Sequence, residues 1–84
     1  MYRIITDPDV ADQIAALPVE ALPIYAELLG VLQLTPWSGP PQHEENPDGA
    51  VRHWLFGPDG RGEVIYLIHE EGHEVHVLMV LWLG

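Results

Sequence analysis

The spacing of apolar residues in the first part of the chain predicts a strand followed by a helix. Residues 2–6, YRIIT, are rich in β-branched and aromatic side chains and predict a short strand. Val10, Ile14 and Leu17 then recur at the i, i+4 and i+7 spacing of one helical face. Asp7 stands just before this segment as a suitable N-cap, so we expect the helix to begin directly after it.

A second helix is predicted over residues 19–34. Pro18 must interrupt the first helix, because proline lacks the backbone N–H and its ring collides with the preceding turn. The apolar residues after it recur at helical spacing, and Pro23 is expected near the start of the second helix or at the point where that helix begins. Two helices joined this closely should form a hairpin.

The last third of the chain carries only strand signals. Residues 50–56, 63–69 and 73–84 predict three strands, separated by the turn segments GPDGRG and EEG. The last of them is apolar at most positions, so we expect it in the centre of the sheet and covered on both sides. The order β-α-α-β-β-β predicts an α+β fold, in which a helical hairpin packs on a mainly antiparallel four-stranded sheet.

Between these two parts lies a long connection. Residues 35–49, TPWSGPPQHEENPDG, contain four prolines and two glycines and are too polar for a helix or strand. Loops of this length are uncommon and often functional, although many are only surface connections. The 84 residues leave room for a single domain, which we place at residues 1–84.

The charge of the chain restricts its partners. Thirteen acidic residues face three arginines and no lysine, which gives a formal net charge of −10. Nucleic-acid binding draws most of its affinity from cationic contacts, so it is doubtful here, and a basic partner is favoured. The N-terminus lacks the layout of a signal peptide and residues 77–83, the longest apolar run, are too short to cross a bilayer. We therefore expect a cytoplasmic protein without a membrane partner.

The stretch HEEGH, residues 69–73, matches the H-E-x-x-H pattern of zinc metalloproteases. That pattern requires a helix, whereas its flanks alternate as strands do and Gly72 is costly inside a helix. Gly72 is instead expected in the left-handed position of a three-residue hairpin loop, with His69 and His73 facing each other across the strands. His76 is then expected on the opposite face from His73. We assign no metal and no cofactor, and whether His69 and His73 bind a metal stays open.

The order and spacing of several short motifs resemble the RelE/ParE family of bacterial type II toxin–antitoxin toxins. The opening YRIITDPDVADQIAALP is similar to the family's first strand, its proline-containing helix start and the LP between its two helices. The similarity continues through LTPWSGP, VRHWLFGPDGRGEVIYLI and EVHVLMVLWL, and it spans nearly the whole chain.

This resemblance implies a toxin that a small antitoxin neutralises. RelE-like members of the family cut mRNA on the ribosome, whereas ParE-like members inhibit DNA gyrase without being nucleases. In the branch that cuts RNA, arginines, lysines and a C-terminal tyrosine or histidine form the site. These groups stabilise the charge on the cleaved phosphate and assist proton transfer.

Two arginines are the candidate catalytic residues that the resemblance implies. Arg52 stands where the family has the arginine of its second strand. Glu63 stands where the family has an arginine shortly before a strand tyrosine, here Tyr66, and Arg61 could substitute in part. The sequence offers no C-terminal catalytic residue after Trp82, which leaves open whether the chain is an enzyme.

Each candidate also has a structural interpretation. Arg61, flanked by Asp59 and Glu63, fits a local ion pair better than a catalyst, and Arg52 could equally pack its stem beside Trp54 and bind a carboxylate. His53 and His69 are the remaining imidazoles near the sheet that could replace the missing group, although His53 fits a hydrogen-bonded sheet histidine better.

Two hypotheses on function stay open. One is a toxin, or toxin-like protein, that could act as a ribosome-dependent mRNA endonuclease with an atypical acidic surface. The other is a non-catalytic protein-binding module of the same fold, such as a ParE-like inhibitor or a domain for dimerisation or antitoxin binding. An antitoxin-like protein is the expected partner, and a homodimer is a further option.

Overall fold

Four strands form one sheet in the order β1-β4-β3-β2, so the last strand of the chain lies between the first and the third. The computed structural model describes residues 1–84. The strands are β1 (Arg3–Thr6), β2 (Val51–Phe56), β3 (Gly62–His69) and β4 (Glu74–Trp82). β1 runs parallel to β4, and the other two pairs are antiparallel. The predicted α+β class, the mainly antiparallel sheet and the central position of the last strand are confirmed.

Two helices cover one face of this sheet: α1 (Pro8–Ala15) and α2 (Leu22–Leu34). The predicted second helix starts as a 3₁₀ turn at Val19–Ala21, and its α-helical part begins one residue before Pro23, where the missing N–H of proline is not needed. No single helix has the length and apolar character to cross a membrane. Only α1 and residues Val19–Leu34, taken together, reach that length and apolar character, and the chain bends by 114° between these two segments.

The core lies between the helices and the inner face of the sheet. Alternate residues of β3 are buried there, because side chains along a strand point to opposite faces. Val64, Tyr66 and Val75 have no exposed surface. Burying one aliphatic side chain, such as that of Val64, stabilises the fold by roughly 1.5–3 kcal/mol. The buried apolar residues are Val10, Leu17, Ala21, Tyr25, Leu28, Leu32, Phe56, Val64, Tyr66, Ile68, Val75, Val77 and Val80.

The opposite face of the sheet, here called the outer face, has no helix on it. Met79 and Leu81 of β4 are 39% and 41% exposed there, and Leu78 between Val77 and Met79 is 45% exposed. Ile65 pairs with Met79 and Tyr66 with Val77, so Leu78 is the additional residue of a β-bulge. The expectation that β4 is covered on both sides is therefore wrong, because both helices pack on the same side of the sheet.

The turn between β3 and β4 differs from the predicted one. It contains four residues, 70–73, and the left-handed residue is His73 (φ 51°) instead of Gly72. Two contacts with the N-terminal segment hold His73 in this conformation. Its carbonyl oxygen accepts a hydrogen bond from the Arg3 N–H at 2.8 Å, and its ring lies 4.9 Å from that of Tyr2. His69 consequently pairs with Glu74, and the predicted pairing of His69 with His73 is wrong.

Tyr25 generates a first prediction, because its buried hydroxyl has no hydrogen-bond partner. A buried polar group without a partner is destabilising. We expect Tyr25→Phe to raise the free energy of unfolding by about 1 kcal/mol, measured by urea denaturation at pH 7. Tyr25→Leu is the matched control, because it also removes the ring that packs against Phe56 and should lower the stability. A loss of stability in Tyr25→Phe would contradict the prediction.

Candidate functional site

Arg52 is buried in a cage of main-chain carbonyl groups on the inner side of β2. Its Nε donates a hydrogen bond to the carbonyl oxygen of Gly49 at 2.9 Å, Nη1 to that of Gly39 at 3.0 Å and Nη2 to that of Pro47 at 2.8 Å. The residue is only 8% exposed. Each nitrogen of the guanidinium group thus binds a carbonyl, which stabilises the buried charge. Arg52 fastens the long loop to the sheet.

The same loop runs beside β2 as an additional extended segment. The Gln42 N–H donates to the carbonyl oxygen of Val51 at 2.9 Å, and the His53 N–H donates to that of Pro40 at 3.1 Å. Pro41 forms a bridge with Arg52. These bonds cover the free edge of β2, which would otherwise present unpaired backbone groups to other chains.

Tyr66 holds the beginning of the loop. Its hydroxyl donates to the carbonyl oxygen of Pro36 at 2.7 Å, and burial raises the pKa of Tyr66 to about 12. Tyr66 pairs with Arg52 across the two strands, so neighbouring side chains hold both parts of the loop. Gly39 must stay small, because a Cβ atom there would lie 2.1 Å from the Tyr66 hydroxyl.

Trp37 connects the arginine cage to the end of the β3–β4 hairpin. Its ring lies 5.0 Å from Cζ of Arg52, within range of a cation–π interaction. Its Nε1 donates to Oε1 of Glu70 at 2.7 Å, and the hydroxyl of Tyr2 donates to the same atom at 2.7 Å. These two hydrogen bonds lower the pKa of Glu70. The glutamate at the second position of HEEGH is therefore a hydrogen-bond acceptor that joins the hairpin, the loop and the N-terminal segment.

Arg61 is exposed in the connection between β2 and β3. Its carbonyl oxygen accepts a hydrogen bond from the Leu83 N–H at 2.8 Å, but its guanidinium group forms no ion pair. The expected ion pair with Asp59 or Glu63 is therefore wrong. Asp59 has a left-handed backbone (φ 57°).

The two arginines predicted as catalytic lie far apart. Arg52 is opposite Tyr66, whereas Arg61 directly precedes β3. At about 3.3 Å per residue, the segment between positions 61 and 66 spans roughly 17 Å. The expectation that Arg52 binds a carboxylate is wrong, because its partners are carbonyls and Trp37. The assignment of Arg52 and Arg61 as catalytic stays a prediction.

The outer face combines apolar residues with a polar end. One row across the sheet contains Leu55, Glu63 and Leu81, and the next contains His53, Ile65 and Met79. The Nδ1 atom of His53 is buried and has no hydrogen-bond partner, so the expected fully hydrogen-bonded histidine is not found there.

At the other end of the outer face lie His69, Glu74 and His76, with Arg3 beside them. Oε1 of Glu74 is 3.6 Å from Nδ1 of His69 and 3.0 Å from Nε2 of His76, and Arg3 forms an ion pair with Oε2. Sequence reasoning missed this group because it placed His73 opposite His69. The alternation from Glu74 to His76, combined with a four-residue loop, would have indicated it.

Comparisons with known proteins identify the fold. No protein-family model and no curated protein matches the sequence. The isolated RelE toxin of Escherichia coli aligns over 100% of this chain and 86% of its own, with a TM-score of 0.80 and 12% identity. The RelBE2 toxin–antitoxin complex of Mycobacterium tuberculosis aligns over 96% of both chains, with a TM-score of 0.77 and 22% identity.

An archaeal RelE–RelB complex from Pyrococcus horikoshii aligns over 99% of this chain and 96% of its own, with a TM-score of 0.66 and 17% identity. The chain therefore has a RelE-like fold, which confirms the fold that the order of its motifs implied.

A second prediction concerns the hydroxyl of Tyr66. Tyr66→Phe leaves the carbonyl of Pro36 without its partner, so we expect the free energy of unfolding to fall by about 1–2 kcal/mol at pH 7. Because the pKa of Tyr66 is higher in the folded state than in the unfolded state, the stability that its neutral hydroxyl contributes is fully present below pH 10. This contribution is lost as the pH rises from the ordinary value of 10.0 towards about 12. Urea denaturation should show the difference between wild type and variant narrowing over that range, and a constant difference would contradict the assignment.

A third prediction concerns the arginine cage. We expect Arg52→Met to lower the free energy of unfolding by about 2–4 kcal/mol, because three carbonyl groups lose a charged donor. Arg52→Lys should restore little of this, since an ammonium group lacks the planar fork of donors. Arg61→Met is the matched control and should change stability by less than about 0.5 kcal/mol. Equal effects in urea denaturation at the two arginines would rule out a special role for the cage.

Proposed function

We propose that this chain is the toxin-like component of a bacterial type II toxin–antitoxin pair, and that it acts in the cytoplasm by binding proteins instead of cutting RNA. The RelE-like fold over the whole chain supports the class. Several of its structural neighbours are described as toxin–antitoxin complexes, which supports an antitoxin as the partner.

The arrangement of the three arginines favours protein binding over RNA cleavage as the mechanism. Arg52 is bound by loop carbonyls, Arg3 is paired with Glu74, and only Arg61 is free. Cleavage of RNA requires several cations that hold phosphates and stabilise the charge of the transition state. One free arginine in a chain of net charge −10 is poorly suited to this task.

The outer face is the surface that we propose for binding. Leu55, Met79 and Leu81 expose apolar area there, and Glu63 lies among them. A contiguous exposed apolar surface with polar residues around it is typical of a protein interface. The negative charge of the chain favours a partner segment that carries apolar residues together with lysine or arginine, since complementary charges speed association and select partners.

Endonuclease activity is the second candidate function, because the exposed and unpaired guanidinium group of Arg61 is available to a phosphate. That mechanism would need Arg61 for phosphate contact, together with Arg52 if its loop opened. The side chain of Arg61 forms no ion pair, so it can be replaced without disturbing the fold. Its replacement therefore distinguishes the RNA-cutting function from the protein-binding function.

A growth assay provides the test. The chain is induced alone in a bacterial host, beside Arg61→Ala and the double variant Met79→Asp/Leu81→Asp. We expect wild type and Arg61→Ala to arrest growth, and the double variant to lose the effect because charges on the outer face oppose apolar contact. Val19→Asp/Leu34→Asp changes exposed apolar residues elsewhere and serves as the matched control.

Three results would overturn parts of the proposal. Loss of arrest in a folded Arg61→Ala variant, together with new mRNA 5′ ends in wild-type cells, would establish the endonuclease instead. Arrest by the double variant would exclude the outer face as the binding surface. Normal growth with folded wild-type protein present at high level would reject the toxin function in that host.

A further inference from the structure

Three side chains able to bind a metal converge at the polar end of the outer face. The ligand atoms of His69, Glu74 and His76 all lie within 4.8 Å of one another. Oε1 of Glu74 is 3.6 Å from Nδ1 of His69 and 3.0 Å from Nε2 of His76. A tetrahedral zinc site with bonds of about 2.0–2.1 Å separates its ligand atoms by roughly 3.3 Å. The two distances lie on either side of this value, so Glu74 is already near tetrahedral spacing from each imidazole.

The pairing of β3 with β4 fixes the positions of these three side chains before any ion binds. His69 is opposite Glu74 in the antiparallel register, and His76 follows two residues later on the same face of β4. Both strands are hydrogen-bonded to neighbours, and β4 is held from its other side by β1. Ligands on paired strands are positioned more firmly than ligands on a loop.

Arg3 supports the carboxylate from outside the group. It lies opposite Glu74 in the parallel register with β4 and binds Oε2, which leaves Oε1 directed towards the two imidazoles. Such outer contacts fix the orientation of a metal ligand. The positive charge of Arg3 opposes a bound cation, but the net charge of −10 attracts one.

We propose that His69, Glu74 and His76 bind one zinc ion, or a similar divalent transition-metal ion, with one coordination position open to solvent. Two imidazoles and a carboxylate suit zinc, nickel, copper and cobalt, whereas magnesium and calcium prefer oxygen ligands alone. The three side chains are 57%, 20% and 37% exposed, so an ion can reach them.

This site is not the one that the letters HEEGH indicate. The protease pattern would use His69, Glu70 and His73. Here Glu70 accepts hydrogen bonds from Tyr2 and Trp37, and the ring of His73 lies against Tyr2. The set on the outer face has instead the spacing H-x₄-E-x-H, which only the four-residue turn brings together.

Calorimetric titration of the full chain with zinc sulfate tests the proposal. We expect one ion per chain, and His69→Gln and His76→Gln should each weaken binding at least about tenfold, as loss of one of three ligands requires. His43→Gln is the matched control, because His43 is an exposed histidine near an acid, Glu45 at 3.9 Å, but outside the site. Magnesium chloride should give no heat of specific binding.

A measurement on the wild-type protein tests the proposal without relying on the folding of any variant. In proton NMR spectra, zinc should shift the imidazole resonances of His69 and His76 and leave those of His43 and His73 in place. Equal binding by wild type and the double variant His69→Gln/His76→Gln would overturn the proposal. So would unshifted His69 and His76 resonances at millimolar zinc.

Discussion

The burial of one guanidinium group is the constraint on which the loop region depends. Arg52 extends from β2 and binds carbonyl oxygens at positions 39, 47 and 49, so the long connection acquires a fixed path without forming a helix or strand. A segment with four prolines cannot satisfy its own backbone acceptors in regular structure, and the arginine provides the missing donors. Trp37 then extends this arrangement to Glu70 and Tyr2.

This use of arginine bears on the proposed function. A RelE-like fold can present cations to a nucleic acid. Here, however, Arg52 of β2 binds carbonyl groups of the loop, and Arg3 of β1 forms an ion pair with Glu74. What remains exposed is the guanidinium group of Arg61 and an apolar sheet face that contains Glu63. Fold and charge thus lead to different expectations for the mechanism, and the positions of the arginines support recognition of a protein.

The order of elements followed from periodicity, because the change from helical to strand spacing is local and strong. The partners of Arg52 could not be predicted, because every residue carries a main-chain carbonyl group and the sequence does not show which of them will bind an arginine. The turn at HEEGH was predicted with one residue too few, because Gly72 was the obvious left-handed candidate and the contacts of His73 with Tyr2 and Arg3 come from the distant N-terminal segment. The open outer face escaped prediction for a similar reason, since an apolar strand does not reveal how many helices will cover it.

The strand order has a consequence for how the protein acquires its structure during synthesis. β1 is an edge strand whose only partner is β4, and Arg3 and its partner Glu74 are separated by 71 positions. The first strand translated must therefore wait for the last of the four strands before it can pair. Closing so long a loop is slow, and a sheet of this topology forms late. A nascent chain would therefore keep β1 unpaired until β4 has been translated, whereas β2 and β3 can pair earlier.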